Sequence, residues 1–330
     1  MAAGFKGSDV RVAVAFIFTI TFAALSALGM ARADDWPTKP IRVIVPLSAG
    51  SAADIIPRIV FEQLSAQLGQ SIVVENRPGG SGTIGARTVQ MADPDGYTLL
   101  AHSSAHIIAP STVANLSYDP IKDFAAVAPL GNLPNVLVIA PSANIKTLKE
   151  LVTIGKTRPI TFGSIGPGSP ITLTMQRLRL SAGFKVQEIP FKGAPEALVE
   201  VMTGRVDVYY SPILAALPYI KSGKLTALAV SSPTRAPTLP DVPTTEESGY
   251  PNSAYRFWIG VFAPAKTPPV IVNKLNVEIQ KALENPAVRA KLEKLGVQPM
   301  KMNTSQFGKF VKEELQINKE VVKAAGIVPQ

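Results

Sequence analysis

The sequence predicts an α/β protein built from parallel strands covered by helices. Three observations carry that reading. Short apolar runs alternate with amphipathic stretches in β-α-β order. Proline or glycine stands at nearly every junction between them. The chain has 330 residues, a length that suggests two domains.

The N-terminus reads first as an address. Lys6 and Arg11 give a basic start, residues 12–30 are apolar and uncharged, and Ala31-Arg32-Ala33 precedes Asp34-Asp35. That is the order of a secretory signal peptide, with cleavage expected after Ala33. A membrane anchor competes, because the apolar run approaches the ~20 residues that span a bilayer. The small residues Ala31 and Ala33 favour cleavage. Loss of residues 1–33 removes Lys6, Arg11 and Arg32 against Asp9, which lowers the net charge from +9 to +7. The remaining basic residues are scattered rather than clustered, which argues against a nucleic-acid surface. There is no cysteine, so disulfides, thiolate metal sites and a cysteine nucleophile are excluded. An exported chain without disulfides is held by its core, and one of about 300 residues buries roughly three quarters of its unfolded surface.

The elements follow in order. Residues 41–45 read as a strand, 55–68 as a helix stopped by Gly69, and 71–75 and 98–101 as strands. The pattern then restarts: strand 136–140, helix 147–156, strand 160–164, helix 171–182, strand 186–189, helix 195–203, and strands 206–210 and 225–230. Three helices close the chain, at 269–283, 287–295 and 305–325. The last puts Phe307, Phe310, Val311, Leu315, Val322 and Ala325 on one face, and all three read as packing elements.

Two strand-to-helix junctions are candidates for chemistry. The first is Pro46-Leu47-Ser48-Ala49-Gly50-Ser51-Ala52-Ala53-Asp54, and the second is Ser164-Ile165-Gly166-Pro167-Gly168-Ser169-Pro170. Their small residues let a ligand approach the backbone. Free N–H groups at a helix start attract anions, and open α/β sheets place ligands at the carboxyl ends of their strands. The competing reading is two ordinary turns with Asp54 as a helix cap.

Other motifs are weaker. Gly80-Ser81-Gly82-Thr83-Ile84-Gly85 matches a dinucleotide fingerprint, but Asn76-Arg77-Pro78-Gly79 separates it from its strand and no acidic residue ends a strand about 20 positions on. His102 and His106 are the only histidines. They lack the Glu of a zinc-binding H-E-x-x-H motif, and no G-x-S-x-G nucleophile elbow is present. They are expected to line a cleft or cap a helix near Ser103 and Ser104, and Ser104 joins the candidate ligand-binding set. No metal site, cofactor or catalytic residue is expected.

A set of ordered motifs is more specific. It comprises residues 36–46, Glu75-Asn76-Arg77-Pro78-Gly79-Gly80-Ser81-Gly82, residues 94–100, Tyr118-Asp119-Pro120, Lys122-Asp123-Phe124, Pro190-Phe191-Lys192-Gly193, Gly223-Lys224-Leu225 and residues 239–244. From residue 36 to the C-terminus this order resembles the Bug/TctC family, the extracytoplasmic solute receptors of tripartite tricarboxylate transporters. The resemblance implies a two-lobed type II periplasmic-binding-protein fold. Because the strand–helix pattern restarts after residues 134–140 and the C-terminal helices follow residues 255–262, these segments are expected to be the crossings, with lobes 34–136 plus 256–330 and 137–255. It implies a non-enzymatic, monomeric periplasmic receptor that holds a mono- or dicarboxylate in the interlobe cleft and delivers it to a permease of that transporter type. A ligand-presenting sensor for a signalling membrane protein is the alternative, and a hydrolase or isomerase on this fold a more distant one. The implied ligand-binding residues are Ala49, Gly50, Ser51 and Asp54 in the first loop and Gly166, Gly168, Ser169 and Thr172 in the second, with Asp207 at a recurrent family position. The first loop departs from the family's two adjacent glycines followed by Ala-Thr-Asp, and Thr172 stands where a histidine is usual.

Overall fold

In the computed structural model, residues 36–330 are described; the segment 1–33, read as a cleaved signal, lies outside them. The alternation in the sequence becomes β1 (Ile41–Val45), α1 (Ala52–Leu68), β2 (Ile72–Asn76), α2 (Thr83–Gln90), β3 (Thr98–Ser103), α3 (Ala105–Thr112) and β4 (Phe124–Leu133). The second half adds β5 (Asn135–Ile139), α4 (Leu148–Thr157), β6 (Ile160–Ser164), α5 (Pro170–Ala182), β7 (Val186–Pro190), α6 (Ala194–Met202), β8 (Val208–Pro212), α7 (Ile213–Lys221) and β9 (Thr226–Val230). The chain ends with β10 (Phe257–Pro264), α8 (Pro269–Glu284), α9 (Pro286–Lys294) and α10 (Thr304–Ala325).

The strands form two five-stranded sheets, β2-β1-β3-β10-β4 and β7-β6-β8-β5-β9. Each has a parallel core, with β1 between β2 and β3 and β6 between β7 and β8. Neither sheet is wholly parallel. β10 runs antiparallel to β3 and β4, and β5 antiparallel to β8 and β9. The departure has a topological cause: β5 and β10 enter their sheets directly from a crossing segment rather than through a covering helix. Pro129 and Gly131 are tolerated in β4 because it is an edge strand and the ladder slips beside Ile259 and Gly260.

Apolar clusters lie against both sheets. Beside the first, Trp258 packs edge-on to Phe307 at 5.8 Å, and Phe262 and Phe310 complete an aromatic group. Beside the second, Phe162, Leu178, Tyr209 and Tyr210 are buried with the strands. Ile108 of α3, Leu173 of α5, Val322 of α10 and Tyr255 form a smaller cluster that joins the two halves.

Where the chain passes between the sheets, three segments are stitched together. Ser231 N–H donates to the Asn135 carbonyl at 2.8 Å and Tyr255 N–H donates to the Ser231 carbonyl at 2.7 Å. The Ser231 hydroxyl donates to the Tyr255 carbonyl at 3.1 Å and accepts from the Asn135 N–H at 3.2 Å. All three residues are fully buried.

Candidate functional site

The two loops picked out by the sequence leave equivalent places. The first follows β1 and the second follows β6, the strand at the middle of each parallel core. In each sheet the chain first moves to one side of that strand and then to the other. Such a reversal opens a crevice at the carboxyl ends of the strands.

The first loop is held from below by Asp54. Its Oδ2 accepts the Gly50 N–H at 2.8 Å, and its Oδ1 accepts Arg58 Nε at 2.8 Å and Asn76 Nδ2 at 2.9 Å. The side chain is almost wholly buried. Burial alone would raise its carboxyl, but the bonds from Gly50, Asn76 and Arg58 outweigh burial and hold it below the ordinary aspartate value. Asp54 is therefore the loop's anchor rather than its cap. Gly50 adopts φ +80°, with open space where a side chain would stand, so glycine is needed there for the backbone turn.

The helix start above this anchor is incomplete. Helix α1 begins at Ala52, three residues earlier than its apolar spacing suggests, with Ser51 as N-cap. The Ser51 N–H donates to the Ser48 carbonyl at 3.2 Å. Its hydroxyl makes no cap bond and is buried without a partner. Among the described residues the amides of Ala52 and Ala53 also find no acceptor. A helix start normally satisfies such groups with a cap, water or a ligand. Ser51-Ala52-Ala53-Asp54 follows the S-x-x-D pattern of a helix start, the signal that could have found this boundary.

The second loop is closed on itself. Ser169 caps α5 by accepting the Thr172 N–H at 3.1 Å, and the Thr172 hydroxyl donates to the Gly166 carbonyl at 2.8 Å. The Ser164 hydroxyl accepts the Gly166 N–H at 3.0 Å and donates to Glu188. Thr172 is fully buried within this network. The Ser169 N–H is also engaged, by the Gly166 carbonyl at 3.1 Å. Gly166, at φ +108°, again faces open space, whereas a Cβ on Gly168 would stand 2.7 Å from Thr112 Oγ1. Gly168 therefore lets the second loop lie against the end of α3.

Ala49, Gly50, Ser51 and Asp54 thus form one structural unit, and Gly166, Gly168, Ser169 and Thr172 another. Ser104 begins α3 but is fully buried, its hydroxyl 3.0 Å from the Tyr255 hydroxyl. Asp207 is not brought to either loop. It precedes β8 and pairs with Arg158 through two 2.8 Å bonds, while Thr161 donates to it through N–H and hydroxyl, each at 2.8 Å. Thr161 lies at the start of β6, the opposite end of the sheet from the second loop. We expect Asp207→Ala to cost about 1–3 kcal/mol of stability, the effect of stripping a multiply bonded acceptor, while ligand affinity stays at the parent value. Melting and titration of the same preparation would check this, and a loss of affinity at unchanged melting temperature would return Asp207 to the site.

The histidines correct the sequence expectation that they line a cleft. Both are buried in the first half. His102 Nδ1 accepts the Ser103 N–H at 2.8 Å, and burial pushes its imidazole down to about 3. His106 lies among Tyr118, Phe124 and Phe262, and burial holds it neutral as well. The glycine-rich segment is explained by space. A Cβ on Gly82 would stand 2.7 Å from His102 Nε2, and one on Gly85 would stand 2.6 Å from the Pro46 side chain and 2.9 Å from the Arg77 carbonyl.

Comparison with known proteins gives a consistent set. The family described as "Tripartite tricarboxylate transporter family receptor" matches residues 56–327. Protein BugT of Bordetella pertussis is 35% identical over 298 residues, which span 89% of this chain and 91% of that protein. Among solved structures, R. palustris Rpa4515 with adipate is 30% identical, with a TM-score of 0.81, over 89% of this chain and 100% of the other. MatC (Rpa3494) from Rhodopseudomonas palustris with bound malate is 32% identical, with a TM-score of 0.76, over 87% of this chain and 100% of the other.

Proposed function

Because the chain belongs to the family of tripartite tricarboxylate transporter receptors, we propose that it captures a small mono- or dicarboxylate between its two halves. The observation that carries this reading is the incomplete start of α1. Three polar groups, the amides of Ala52 and Ala53 and the Ser51 hydroxyl, are left without partners at the carboxyl end of a central strand. A carboxylate oxygen satisfies such donors, and the positive end of the helix favours its charge. The adipate and malate bound by two structural relatives support the same ligand class.

The lobes in this reading are residues 34–136 with 256–330, and residues 137–255. Strand membership of the two sheets supports that division. The first loop grips the carboxylate, and the second closes over it with a scaffold already satisfied by Ser164, Ser169 and Thr172. The receptor works as a periplasmic monomer after cleavage at Ala33 and hands its ligand to a tripartite tricarboxylate-type permease.

Calorimetric titration of a ligand panel tests the reading. The expected result is saturable binding of at least one aliphatic or aromatic mono- or dicarboxylate. Tight binding of sugars with no response to any carboxylate would overturn it.

A further inference from the structure

A cavity of about 690 Å³ lies away from both loops, where α5 meets α10 beside the segment 252–256. Its character is opposite to that of the loops. Four glutamates line it against two arginines, Arg177 and Arg256, and Leu180, Ile317 and Val321 give it an apolar side. The sequence reading of α10 as a packing helix therefore misses a polar break in its buried face. Glu314 is only 8% exposed, yet its Oε2 has no hydrogen-bond partner. Arg177 does not serve as that partner. It donates to the Ala254 carbonyl, its guanidinium lies over the Tyr255 ring at 5.6 Å, and its Nε is buried without a partner.

A buried carboxylate oxygen without a donor is costly. Burial raises the Glu314 carboxyl above its ordinary value, with Arg177 and Arg256 opposing and Glu313 reinforcing the rise. We propose that this cavity is a second ligand site, separate from the two loops, that takes a protonated amine carried on a short apolar chain. The ammonium donates to Glu314, and the chain lies on Leu180, Ile317 and Val321. The excess of glutamates disfavours a simple carboxylate here, so the two sites select opposite charges. A ligand that also carries a carboxylate can place it on the exposed Arg256 of the same cavity, which makes an apolar amino acid the second source of the same ammonium chemistry.

Isoamylamine, L-leucine and isovalerate are the probes, titrated by calorimetry into the full mature chain. Isoamylamine or leucine should bind. Leucine binding more tightly than isoamylamine would identify an amino acid, and the reverse order a free amine. Any isovalerate binding should weaken by about 10- to 150-fold in Ala52→Pro, whereas amine binding should not change in that variant, which separates this site from the carboxylate site. Glu314→Gln should weaken amine binding by about 10- to 150-fold, the worth of a hydrogen bond to a charged group. Ala324→Phe, on the exposed rim, should block the cavity without touching Glu314. Failure of both amines to bind, or binding that survives both substitutions, would overturn the proposal.

Discussion

Ala52→Pro is expected to lower carboxylate affinity by about 10- to 150-fold while leaving the melting temperature at the parent value. The fold-change corresponds to one hydrogen bond to a charged group, roughly 1.5–3 kcal/mol. The substitution is unusually clean for geometric reasons. Ala52 is the first residue of α1, where proline is favoured and its missing N–H breaks no helical bond. The residue before a proline must be extended, and Ser51 already is, at φ −72° and ψ 161°. Only the donor disappears. Ser51→Ala supplies the contrast: it keeps the amide and removes one hydroxyl, so its cost should be about 0.5–1.5 kcal/mol. A proline variant that binds like the parent would show that the helix start does not hold the ligand.

Asp54→Ala should be the most damaging single change in either loop. It strips acceptors from Gly50 N–H, Arg58 and Asn76 at once. Arg58 keeps Asn76 Oδ1 at 2.8 Å and Asn76 keeps the Leu47 carbonyl at 3.1 Å, so the Gly50 amide loses most. Gly50 is exposed and water can take over its amide, so the cost is that of the lost charge-assisted bonds, about 1.5–3 kcal/mol, a fall of order 5 °C in melting temperature. Affinity should fall too, because Gly50 no longer fixes the turn below the helix start. Asp54→Asn tests the charge. The lowered Asp54 carboxyl contributes stability that is present above the ordinary aspartate value of about 3.9 and lost as pH falls through the lower folded value. The Asn variant should lack that part of the acid profile. A variant melting and binding with the parent across this range would mean that other contacts hold the loop.

The alternation of strands and helices was legible because its periods are local. Both loops were legible for the same reason, since each is a run of small residues between a strand and a helix. The antiparallel strands were not. Phe257–Pro264 is almost wholly apolar, and its partners lie in β3 and β4, far away in sequence. Pro129 and Gly131 disguise β4, and only its edge position makes them acceptable. Asp207 was readable in principle: it precedes its strand, whereas ligands gather where strands end. The closed state of the second loop was not readable, because the Ser169 hydroxyl could equally have faced a ligand. Glu314 could have been noticed as a charge at position i+4 from Phe310 and i+7 from Phe307 on an apolar face. Its missing partner belongs to the tertiary packing alone.

The stitching around Ser231 has a mechanical consequence. Its three chain segments share one buried serine whose two donors and two acceptors are all occupied. If the two proposed lobes turn about this joint, it acts as an axle rather than a spring, because turning about it need not break the bonds that define it. Bias toward closure then comes from whatever the ligand touches, since a ligand moves an equilibrium only by its differential contacts with the two states. Affinity changes caused by substitutions in either loop consequently report on grip and not on the stiffness of the joint.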